Sequence, residues 1–441
     1  MRFTTLKQWL NWQSSLHPTE IELGLDRVTT VAKRLNLLPP PFPIITVAGT
    51  NGKGSSIILL DSILSTAGYH VGRFMSPHLL RYNERICVGG VEASDTQICH
   101  TFELIEKVRG EISLTYFEFS TLAAMLIFQH NQVDIAVLEV GLGGRLDAVN
   151  IFDADITLVT AIDIDHTDWL GNDRESIGFE KAGIFRAHCP AVCSDTNPPQ
   201  SLINYAEHLK TPLYYLNHDF SYFKKADKNP SWQMKCHLKS LPLSPINKKK
   251  YQYIFSHLPL PNLVGDFQLQ NAAGVLMVLA LLSDRFPVLD AAIHQGLTHL
   301  ILPGRFQILK GRVTRILDVT HNPLGAKVLA KLLEQHPCEG ETHAVVGMLN
   351  DKDITSVLTI MQNSIDHWHV APLDTARSAD VDVLIDNLTT LGITLIYSYS
   401  SIQEAYEEWL AYAPDGDRIV VFGSFYAVAE ALEVEKQVNQ N

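Results

Sequence analysis

The sequence predicts an α/β fold with two domains: an N-terminal P-loop domain with a doubly wound, mainly parallel sheet, and a smaller C-terminal Rossmann-like α/β domain. The chain has 441 residues, more than a single hydrophobic core usually serves. Short apolar runs alternate with segments of helical periodicity, which is typical of a parallel sheet covered by helices. Near Leu302-Pro303-Gly304-Arg305 this series is interrupted and a second one begins. We therefore place the domains at residues 1–301 and 302–441.

The N-terminal series begins with a strand at 44–48, an apolar run followed by glycine. Further strands are predicted at 70–75, 134–140 and 156–162, since each is short and apolar. Helical spacing predicts helices at 56–67, 119–129 and 267–282, and Gly68 marks the end of the first. Between 212 and 262 the pattern gives way to aromatic, proline and lysine residues. We expect irregular loops and hairpins there, with the basic run Lys248-Lys249-Lys250 as a solvated connection.

The C-terminal series predicts strands at 315–319, 344–348, 395–397 and 419–423, with helices between them. Because this alternation repeats that of the first series, we expect a second parallel sheet covered by helices. Two α/β domains with a cleft between them are the architecture that the sequence predicts.

Composition excludes several classes of protein. Hydrophobic residues make up 46% of the chain and charged residues 19%, the balance of an ordinary globular protein. A net charge of −13 argues against nucleic acid as a partner, because phosphate contacts need a basic surface. No apolar run is long enough to cross a bilayer, and residues 1–10 lack the apolar stretch of a secretory signal. Six cysteines without a CxxC pair suit reduced thiols, so we expect a cytoplasmic protein without membrane or nucleic-acid partners.

A glycine-rich loop, Gly49-Thr50-Asn51-Gly52-Lys53-Gly54-Ser55, stands between the first predicted strand and helix. Such a loop suits phosphate, because glycines let backbone N–H groups approach the anion and the helix N-terminus favours it. Lys53 is then expected to reach the β- and γ-phosphates, with Ser55 at the helix start. The match to the Walker A pattern is imperfect, since Val47 replaces its first glycine and Gly54 separates lysine from serine. The alternative is a glycine-rich turn that binds no nucleotide.

Three side chains with metal-binding atoms stand at the ends of predicted strands. Ser76 follows the second strand, Glu139 lies near the end of the strand at 134–140, and His166 follows the strand at 156–162. Since the carboxyl ends of parallel strands meet at one edge of a sheet, we expect all three beside the phosphate loop. A hydroxyl, a carboxylate and an imidazole there suit Mg²⁺. The alternatives are a turn cap for Ser76 and a structural role for His166, whereas a buried Glu139 needs a partner.

Several motifs, in order, resemble those of the folylpolyglutamate synthases, a family related to the Mur ligases. The resemblance extends from about Leu23 to Ala427 and is weakest at 212–262. Besides the phosphate loop, the motifs are Ser76-Pro77-His78, Leu138-Glu139-Val140-Gly141-Leu142-Gly143-Gly144-Arg145-Leu146-Asp147-Ala148, Asp165-His166-Thr167-Asp168-Trp169-Leu170-Gly171, Glu180-Lys181-Ala182-Gly183-Ile184, Leu302-Pro303-Gly304-Arg305 and Asp318-Val319-Thr320-His321-Asn322-Pro323. The resemblance implies a Mur-ligase-like ATP-binding domain followed by a glutamate-ligase domain. One departure is Phe179, where the family usually has a polar residue.

The resemblance also implies roles for individual residues. It implies Mg²⁺ ligands at Ser76, Glu139 and His166, in agreement with the strand-end argument. It further implies that Lys181 carries a CO₂-derived carbamate near a second Mg²⁺, which requires a lysine able to lose its proton. The residues similar to ATP-binding residues of the family, in addition to the loop from Thr50 to Ser55, are Asn271, Arg305 and Asp318. His321 is expected near the phosphoryl oxygens or the incoming amine.

Three segments resemble those that hold dihydropteroate in bifunctional members of the family: Ser15-Leu16-His17-Pro18, Thr115-Tyr116-Phe117-Glu118 and Leu146-Asp147-Ala148. An aromatic pair beside a carboxylate suits a flat, hydrogen-bonding pterin ring. For Tyr116 and Phe117 the alternative is packing in the core at a helix start.

The reaction implied is an ATP-dependent ligation of L-glutamate through an acyl phosphate, first onto 7,8-dihydropteroate to form dihydrofolate and then onto tetrahydrofolates. The 115–118 segment favours both activities over chain extension alone. A Mur-type amino-acid ligase of cell-wall synthesis is an alternative, although those enzymes usually carry Thr or Ser directly after the loop lysine. A nucleotide-binding regulator without ligase chemistry is another, but it leaves Lys181, Arg305 and Asp318 unexplained. The family implies a monomer.

Overall fold

The computed structural model of the protein describes residues 2–19, 21–225, 230–238 and 251–438. The chain forms two compact units. The first comprises Met1–His78, Tyr82–Asn262 and Asp266–Leu300, and the second comprises Leu79–Arg81, Leu263–Gly265 and Ile301–Asn441. The α/β fold class with two domains is confirmed, while the boundary at 301/302 stays a prediction. No helix within the described ranges is long and apolar enough to cross a membrane.

A mainly parallel sheet, eight-stranded over the described residues, organises the first unit in the order β4-β3-β2-β5-β1-β6-β7-β8. Strands β2, β5, β1, β6, β7 and β8 run parallel, and β3 and β4 extend the edge in antiparallel fashion. The strands are β1 (Ile44–Ala48), β2 (Val71–Phe74), β3 (Ile86–Val88), β4 (Val91–Glu92), β5 (Ile135–Glu139), β6 (Ile156–Val159), β7 (Ala191–Cys193) and β8 (Leu213–Tyr215). The four predicted strands of this unit lie within two to three residues of β1, β2, β5 and β6.

Helices cover this sheet in two groups. Helix α3 packs against α9 and α10, and α4 packs against α1 and α5. Buried aromatic residues such as Trp9, Phe102 and Phe119 join the second group to the core. The helices are α1 (Leu6–Gln13), α2 (Asp26–Arg34), α3 (Lys53–Thr66), α4 (Asp95–Arg109), α5 (Tyr116–His130), α6 (Thr167–Leu170), α7 (Arg174–Ala182), α8 (Gln200–Leu209), α9 (Phe267–Leu282) and α10 (Asp290–Thr298), with 3₁₀ turns at Tyr82–Arg85 and Ala148–Ile151.

The region predicted as loops and hairpins is more regular than expected. Strands β9 (Phe220–Lys225), β10 (Ser231–Leu238) and β11 (Tyr251–Pro259) form an antiparallel sheet in the order β11-β10-β9. Trp232 and Met234 on β10 are buried. The hairpins are therefore confirmed, but the expectation of irregular structure was wrong, because alternating apolar residues on β10 give it a buried face. The run Lys248-Lys249-Lys250 lies outside the described residues.

The second unit contains a sheet in the order β12-β13-β17-β14-β15-β16, parallel except for β12. Its strands are β12 (Gln307–Leu309), β13 (Thr314–Leu317), β14 (Thr342–Val346), β15 (His367–Val370), β16 (Ile396–Ser398) and β17 (Arg418–Phe422). Its helices are α11 (Pro323–Gln335), α12 (Ile354–Met361), α13 (Val381–Thr390), α14 (Ile402–Tyr412) and α15 (Phe425–Val438), with a 3₁₀ turn at Gln362–Ser364. The predicted strands correspond to β13, β14, β16 and β17. Strand β15 was missed, because its sequence His367-Trp368-His369-Val370 lacks a clear apolar run.

Candidate active site at the carboxyl edge of the first sheet

The glycine-rich loop joins β1 to α3, as a phosphate-binding loop requires. Helix α3 begins at Lys53, and Gly52 stands before it with φ +93°. This conformation favours glycine, since a side chain there is strained. The Lys53 ammonium folds back on the loop, where Nζ donates to the carbonyl oxygens of Gly49 (3.0 Å) and Thr50 (3.2 Å). Ser55 is buried in the first turn of α3.

The end of β6 fixes the shape of this loop. Thr160 Oγ1 donates to the carbonyl oxygens of Ala48 (3.2 Å) and Asn51 (2.8 Å). A Cβ at Gly49 would lie 1.8 Å from Thr160 Oγ1, so glycine is required at position 49. The Thr50 hydroxyl donates to the Asp163 carbonyl oxygen (2.9 Å). Hydrogen bonds to Thr160 and Asp163 therefore hold the backbone of the loop in this conformation.

Asn271, on α9, lies against the same loop. A Cβ at Gly52 would lie 2.5 Å from Asn271 Oδ1, and Asn271 Nδ2 donates to Gln268 Oε1 (3.0 Å). The side chain is almost fully buried. The structure thus brings the predicted asparagine to the phosphate loop, although the two are far apart in sequence.

Two of the three predicted metal ligands are in direct contact. Glu139 is the last residue of β5 and is buried, and its Oε2 accepts a hydrogen bond from the Ser76 backbone N–H (3.0 Å). Ser76 follows β2, the neighbour of β5, while β1 on the other side of β5 carries the phosphate loop. The three strands run parallel, so their carboxyl ends form one edge, and the loop lies on this edge beside the end of β5.

His166 follows β6, the next strand along that edge. It has φ +54° and stands immediately before α6, with its backbone N–H donating to Asp165 Oδ1 (2.8 Å). A positive φ is uncommon for histidine and is often found at functional positions. Ser76, Glu139 and His166 therefore stand at the carboxyl ends of β2, β5 and β6, three parallel strands of one sheet, with β1 between β5 and β6. Their hydroxyl, carboxylate and imidazole are chemically suited to Mg²⁺ or Mn²⁺.

Lys181 is buried near the end of α7, where surface lysines are usual. Burial, reinforced by the positive charge of Lys53, lowers the pKa of Lys181 from 10.5 to about 7. The carboxylates of Asp165 and Asp147 oppose this shift. The amine is thus substantially uncharged near neutral pH, which is the form that reacts with an electrophile.

The glycine-rich segment after β5 packs closely on α7. A Cβ at Gly144 would lie 2.8 Å from the Glu180 carbonyl oxygen, and one at Gly183 would lie 2.3 Å from Arg145 Cβ. The Arg145 guanidinium also forms an ion pair with Glu180 (2.9 Å). This packing explains why glycines occur in both motifs, since it holds Lys181 next to the 141–148 loop.

Asp147 is the buried carboxylate of that loop. It accepts hydrogen bonds from the backbone N–H groups of Leu142 (2.8 Å) and Val149 (3.1 Å). Burial nevertheless raises the pKa of Asp147 to about 7, because desolvation outweighs these bonds. Its neighbours Leu146 and Ala148 lie in the same turn, and the 3₁₀ turn at Ala148–Ile151 contacts both α2 and α5.

A polar network connects the segments predicted to hold the pterin. His17 Nε2 lies 2.7 Å from Glu22 Oε2, and Glu22 forms a close ion pair with Arg27. Arg27 Nη2 in turn donates to Glu118 Oε1 (3.3 Å). His17 Nδ1 is also 3.0 Å from Ser113 Oγ. The segment Ser15-Leu16-His17-Pro18 is therefore tied to the start of α5, which carries Thr115 to Glu118.

Glu118 has a structural task that the sequence analysis did not assign. Its Oε2 accepts from the Thr115 N–H (2.7 Å), and Thr115 Oγ1 accepts from the Glu118 N–H (3.2 Å). This is a capping box, and the spacing of Thr115 and Glu118 was a signal that could have revealed it. Tyr116 and Phe117 are half-buried and pack on the core, Phe117 against Phe74 with ring centroids 5.7 Å apart. Core packing at the helix start, the alternative reading, therefore describes part of their role.

In the second unit, the remaining predicted residues lie close together. Arg305 lies over the ring of Phe425 (5.3 Å), and the centroid of the His321 ring is 6.2 Å from that of Phe425. Asp318 follows β13, and its carboxylate oxygens accept from the backbone N–H groups of Phe306 (2.7 Å) and Thr320 (2.9 Å). Asp318 thereby holds the turn that carries Arg305.

Sequence reasoning missed Arg27, Arg145 and Asp165 as parts of this site. Arg27 and Glu118 are 91 positions apart, and Arg145 and Glu180 are 35 positions apart. No short-range pattern marks such pairs. Asp165 was noticed as part of a motif, but not as a charge that acts on Lys181.

Comparison with known proteins agrees with this arrangement. The Mur ligase middle domain matches residues 47–279, and the Mur ligase glutamate ligase domain matches residues 304–425. A dihydrofolate synthase/folylpolyglutamate synthase of Escherichia coli K12 is 41% identical over 429 residues, covering 97% of this chain and 95% of the relative.

Solved structures of relatives superpose over nearly the whole chain. The structure of E. coli FolC in complex with DHPP and ADP has a TM-score of 0.89 at 41% identity, covering 99% of each chain. A bifunctional folylpolyglutamate synthase/dihydrofolate synthase with Mn, AMPPNP and L-glutamate bound has a TM-score of 0.86 at 42% identity, covering 98% of each chain. Because this similarity spans both domains and far exceeds what a shared fold alone requires, the chain belongs to the dihydrofolate synthase/folylpolyglutamate synthase family of ATP-dependent ligases.

Proposed function

We propose that the chain catalyses two related ligations: L-glutamate onto 7,8-dihydropteroate, which forms dihydrofolate, and further glutamates onto tetrahydrofolates. The observation that carries this proposal is the carboxyl edge of the first sheet, where the hydrogen-bonded phosphate loop stands next to buried Glu139 and buried Lys181. The relatives support it, since one binds DHPP and ADP and another binds Mn, AMPPNP and L-glutamate.

The first step activates the pterin-side carboxylate, which is otherwise a poor electrophile. A carboxylate oxygen attacks the γ-phosphorus of ATP, and the bond from that phosphorus to the oxygen that bridges it to the β-phosphate breaks. ADP is the leaving group, and the product is an acyl phosphate. We assign ATP to the loop from Thr50 to Ser55 with Asn271, Arg305 and Asp318. Lys53 already lies among the loop carbonyls and is positioned to balance charge on the phosphates. Asp318 acts by holding the backbone next to Arg305.

The second step forms the amide. The α-amine of glutamate attacks the acyl carbon, a C–N bond forms, and the C–O bond to phosphate breaks as the amine loses a proton. We assign His321 to the phosphoryl oxygens or the incoming amine. Its Nδ1 donates to the Val319 carbonyl oxygen (2.9 Å), which orients the ring.

Two Mg²⁺ ions are part of the proposal. Ser76, Glu139 and His166 fit one ion, since they supply oxygen and nitrogen atoms at the carboxyl ends of three parallel strands, β2, β5 and β6. Bound there, Mg²⁺ neutralises phosphate charge during phosphoryl transfer. For the other ion we propose a carbamate on Lys181, formed when its neutral amine adds CO₂ and releases a proton. A pKa near 7 supports this, because an ordinary lysine is almost entirely protonated at neutral pH.

The pterin is assigned to three segments: Ser15 to Pro18, Thr115 to Glu118 and Leu146 to Ala148. The network around Arg27 connects the first two. Asp147 is suited to bind a ring that offers neighbouring N–H donors, because its carboxylate is buried and already oriented by two backbone N–H groups. We further propose a cytoplasmic monomer with these small molecules as its partners, in keeping with its acidic composition and with six cysteines that form no disulfide with one another.

The Lys53→Ala variant tests the assignment of the phosphate loop. Removing the ammonium should lower kcat/KM for ligation by at least about 100-fold, since it acts on charge that develops during phosphoryl transfer. Lys107→Ala is the matched control, because Lys107 is exposed and forms a surface ion pair with Glu103. Near-normal turnover of a folded Lys53→Ala protein would refute the assignment.

A further inference from the structure

A second cluster of metal-ligating side chains lies in the second unit, at the amino ends of its strands. Glu341 immediately precedes β14, His343 is the second residue of β14, and His367 begins β15. The register pairs His343 with His367 directly, so both rings lie on the same face of the sheet. Asp318, by contrast, follows the carboxyl end of β13. The cluster therefore lies at the opposite edge of this sheet from the residues assigned to ATP.

The ligand atoms of these three residues already lie close together. One nitrogen or oxygen from each is within 4.8 Å of the others, and Glu341 Oε2 is 2.8 Å from His367 Nε2. In a tetrahedral site with metal–ligand distances near 2.1 Å, ligand atoms are about 3.4 Å apart. The two ligand atoms that lie farthest apart would need to approach each other by roughly 1–1.5 Å to bind a metal ion. No other group of three such side chains in the described ranges meets the same distance.

Asp417 orients two of the three residues, in the manner of the carboxylates that support metal-bound histidines. Its Oδ2 lies 3.0 Å from His343 Nε2, and its Oδ1 accepts from the Glu341 backbone N–H (2.9 Å). A Cβ at Gly340 would lie 2.0 Å from Oδ1, so glycine at that position is needed for this contact. Nε2 of His343 is held by Asp417, and its Nδ1 lies 3.4 Å from His369 Nε2. That second contact is long, and coordination of a metal ion by Nδ1 would replace it.

The imidazole of His367 must turn for a metal to bind. The rings of His343 and His367 are nearly parallel, with 14° between their planes and centroids 4.6 Å apart. In-plane lone pairs of parallel rings do not converge on one point. His367 is the ring at the rim, and its Nδ1 has no hydrogen-bond partner among the described residues. When the His367 ring turns, its contact with Glu341 is lost. Coordination of the same metal ion by both side chains would replace that contact.

We propose that Glu341, His343 and His367 form a binding site for a divalent transition metal ion, with Zn²⁺ as the ion that fits best. Two imidazoles and one carboxylate, with water in a fourth position, are a common Zn²⁺ ligand set. With two imidazoles among three ligands, the cluster favours Zn²⁺ over Mg²⁺ and Ca²⁺, which prefer mainly oxygen ligands. It shares no residue with the Mg²⁺ sites proposed for the ligase, and its existence does not depend on the proposed function.

Calorimetric titration of the metal-free full chain with ZnCl₂, in excess Mg²⁺ to occupy the sites in the first unit, tests this proposal. Wild type should bind one equivalent that His367→Ala removes or weakens at least tenfold. Glu341→Gln should weaken it by a similar factor and should fold normally, because that side chain is 65% exposed. The controls His299→Ala and Glu339→Gln, both on exposed residues, should bind Zn²⁺ as wild type does.

Ligation should proceed unchanged in the Glu341→Gln and His367→Ala proteins, which places the bound ion outside the reaction. Identical Zn²⁺ stoichiometry and affinity in wild type and in the Glu341→Gln variant would overturn the proposal. The absence of any saturable Zn²⁺ binding by the wild type would overturn it too. The cluster would then be a stack of rings, in which His343 and His369 pack on Trp409 with centroids 4.3 and 4.5 Å apart.

Discussion

Replacing Lys181 with methionine removes a buried amine and leaves a side chain of similar length and apolar character. Lys181 is 3% exposed, and burial together with the charge of Lys53 lowers its pKa from 10.5 to about 7. At any pH between these two pKa values, the lysine is protonated in the unfolded chain and loses its proton when the chain folds. The unfolded chain binds more protons there, so stability rises with pH across this window. The free-energy cost of burying the charged amine is fully present below pH 7 and absent above pH 10.5.

The size of the effect follows from the shift. At about 1.4 kcal/mol per pKa unit, the penalty of burying the charged amine is at most about 5 kcal/mol below pH 7. Without bicarbonate, Lys181→Met should therefore be more stable than wild type at pH 6, by up to that amount. The difference should shrink steadily towards pH 9.5. Other titrating groups are present in both proteins, so the pH dependence of the difference reports Lys181 together with its coupling to Asp147 and Asp165.

The same shift governs carbamate formation. At pH 8 an amine with a pKa near 7 is about 90% neutral, whereas one at 10.5 is about 0.3% neutral. With ¹³C-labelled bicarbonate, wild type should show a carbamate signal that Lys181→Met lacks, and the variant should lose ligation.

Urea denaturation of both proteins from pH 6 to 9.5, with labelling at pH 8, measures the two effects separately. A stability difference that does not change with pH would refute the desolvation of Lys181. An equal carbamate signal in Lys181→Met would refute the assignment of the carbamate.

Two further substitutions test the loop and the metal site. Gly52→Ala would place a Cβ 2.5 Å from Asn271 Oδ1, on a residue with φ +93°. The affinity for ADP, measured by calorimetry, should weaken at least tenfold. The free energy of unfolding should fall by about 1–2 kcal/mol. Gly68→Ala is its control, because Gly68 has φ +96° with open space around it, and that variant should bind ADP normally. Glu139→Gln keeps an oxygen that accepts from the Ser76 N–H, so the fold should persist while the Mg²⁺ concentration for half-maximal activity rises at least tenfold. Unchanged Mg²⁺ dependence would mean that Glu139 does not bind the ion.

The parts of the fold that local patterns encode were predictable from the sequence. Strand β1 and helix α9 match their predicted bounds, because an uninterrupted apolar run and a long helical pattern are strong signals. Once the strands are parallel, their carboxyl ends must share an edge. That rule predicted that Ser76 and Glu139 lie close together, and they are in contact; that His166 shares a metal ion with them stays a prediction.

Other features depend on long-range contacts and had no local signal. Strand β15 has histidines at its inward positions, so its pattern is not apolar, yet the sheet and Trp409 bury His369 completely. The pKa of Lys181 depends on burial and on Lys53, which is far away in the sequence. Gly52 needs glycine partly because Asn271 lies against it. Such requirements become visible when distant segments have folded together.

The most direct test of the central claim is ADP release by the purified protein with ATP, L-glutamate, Mg²⁺ and bicarbonate. The acceptors compared are 7,8-dihydropteroate and tetrahydrofolate. We predict release that requires glutamate and is stimulated by each acceptor. Stimulation by tetrahydrofolate alone would reduce the activity to chain extension. If neither acceptor stimulates ADP release, the proposed ligation is wrong for this chain.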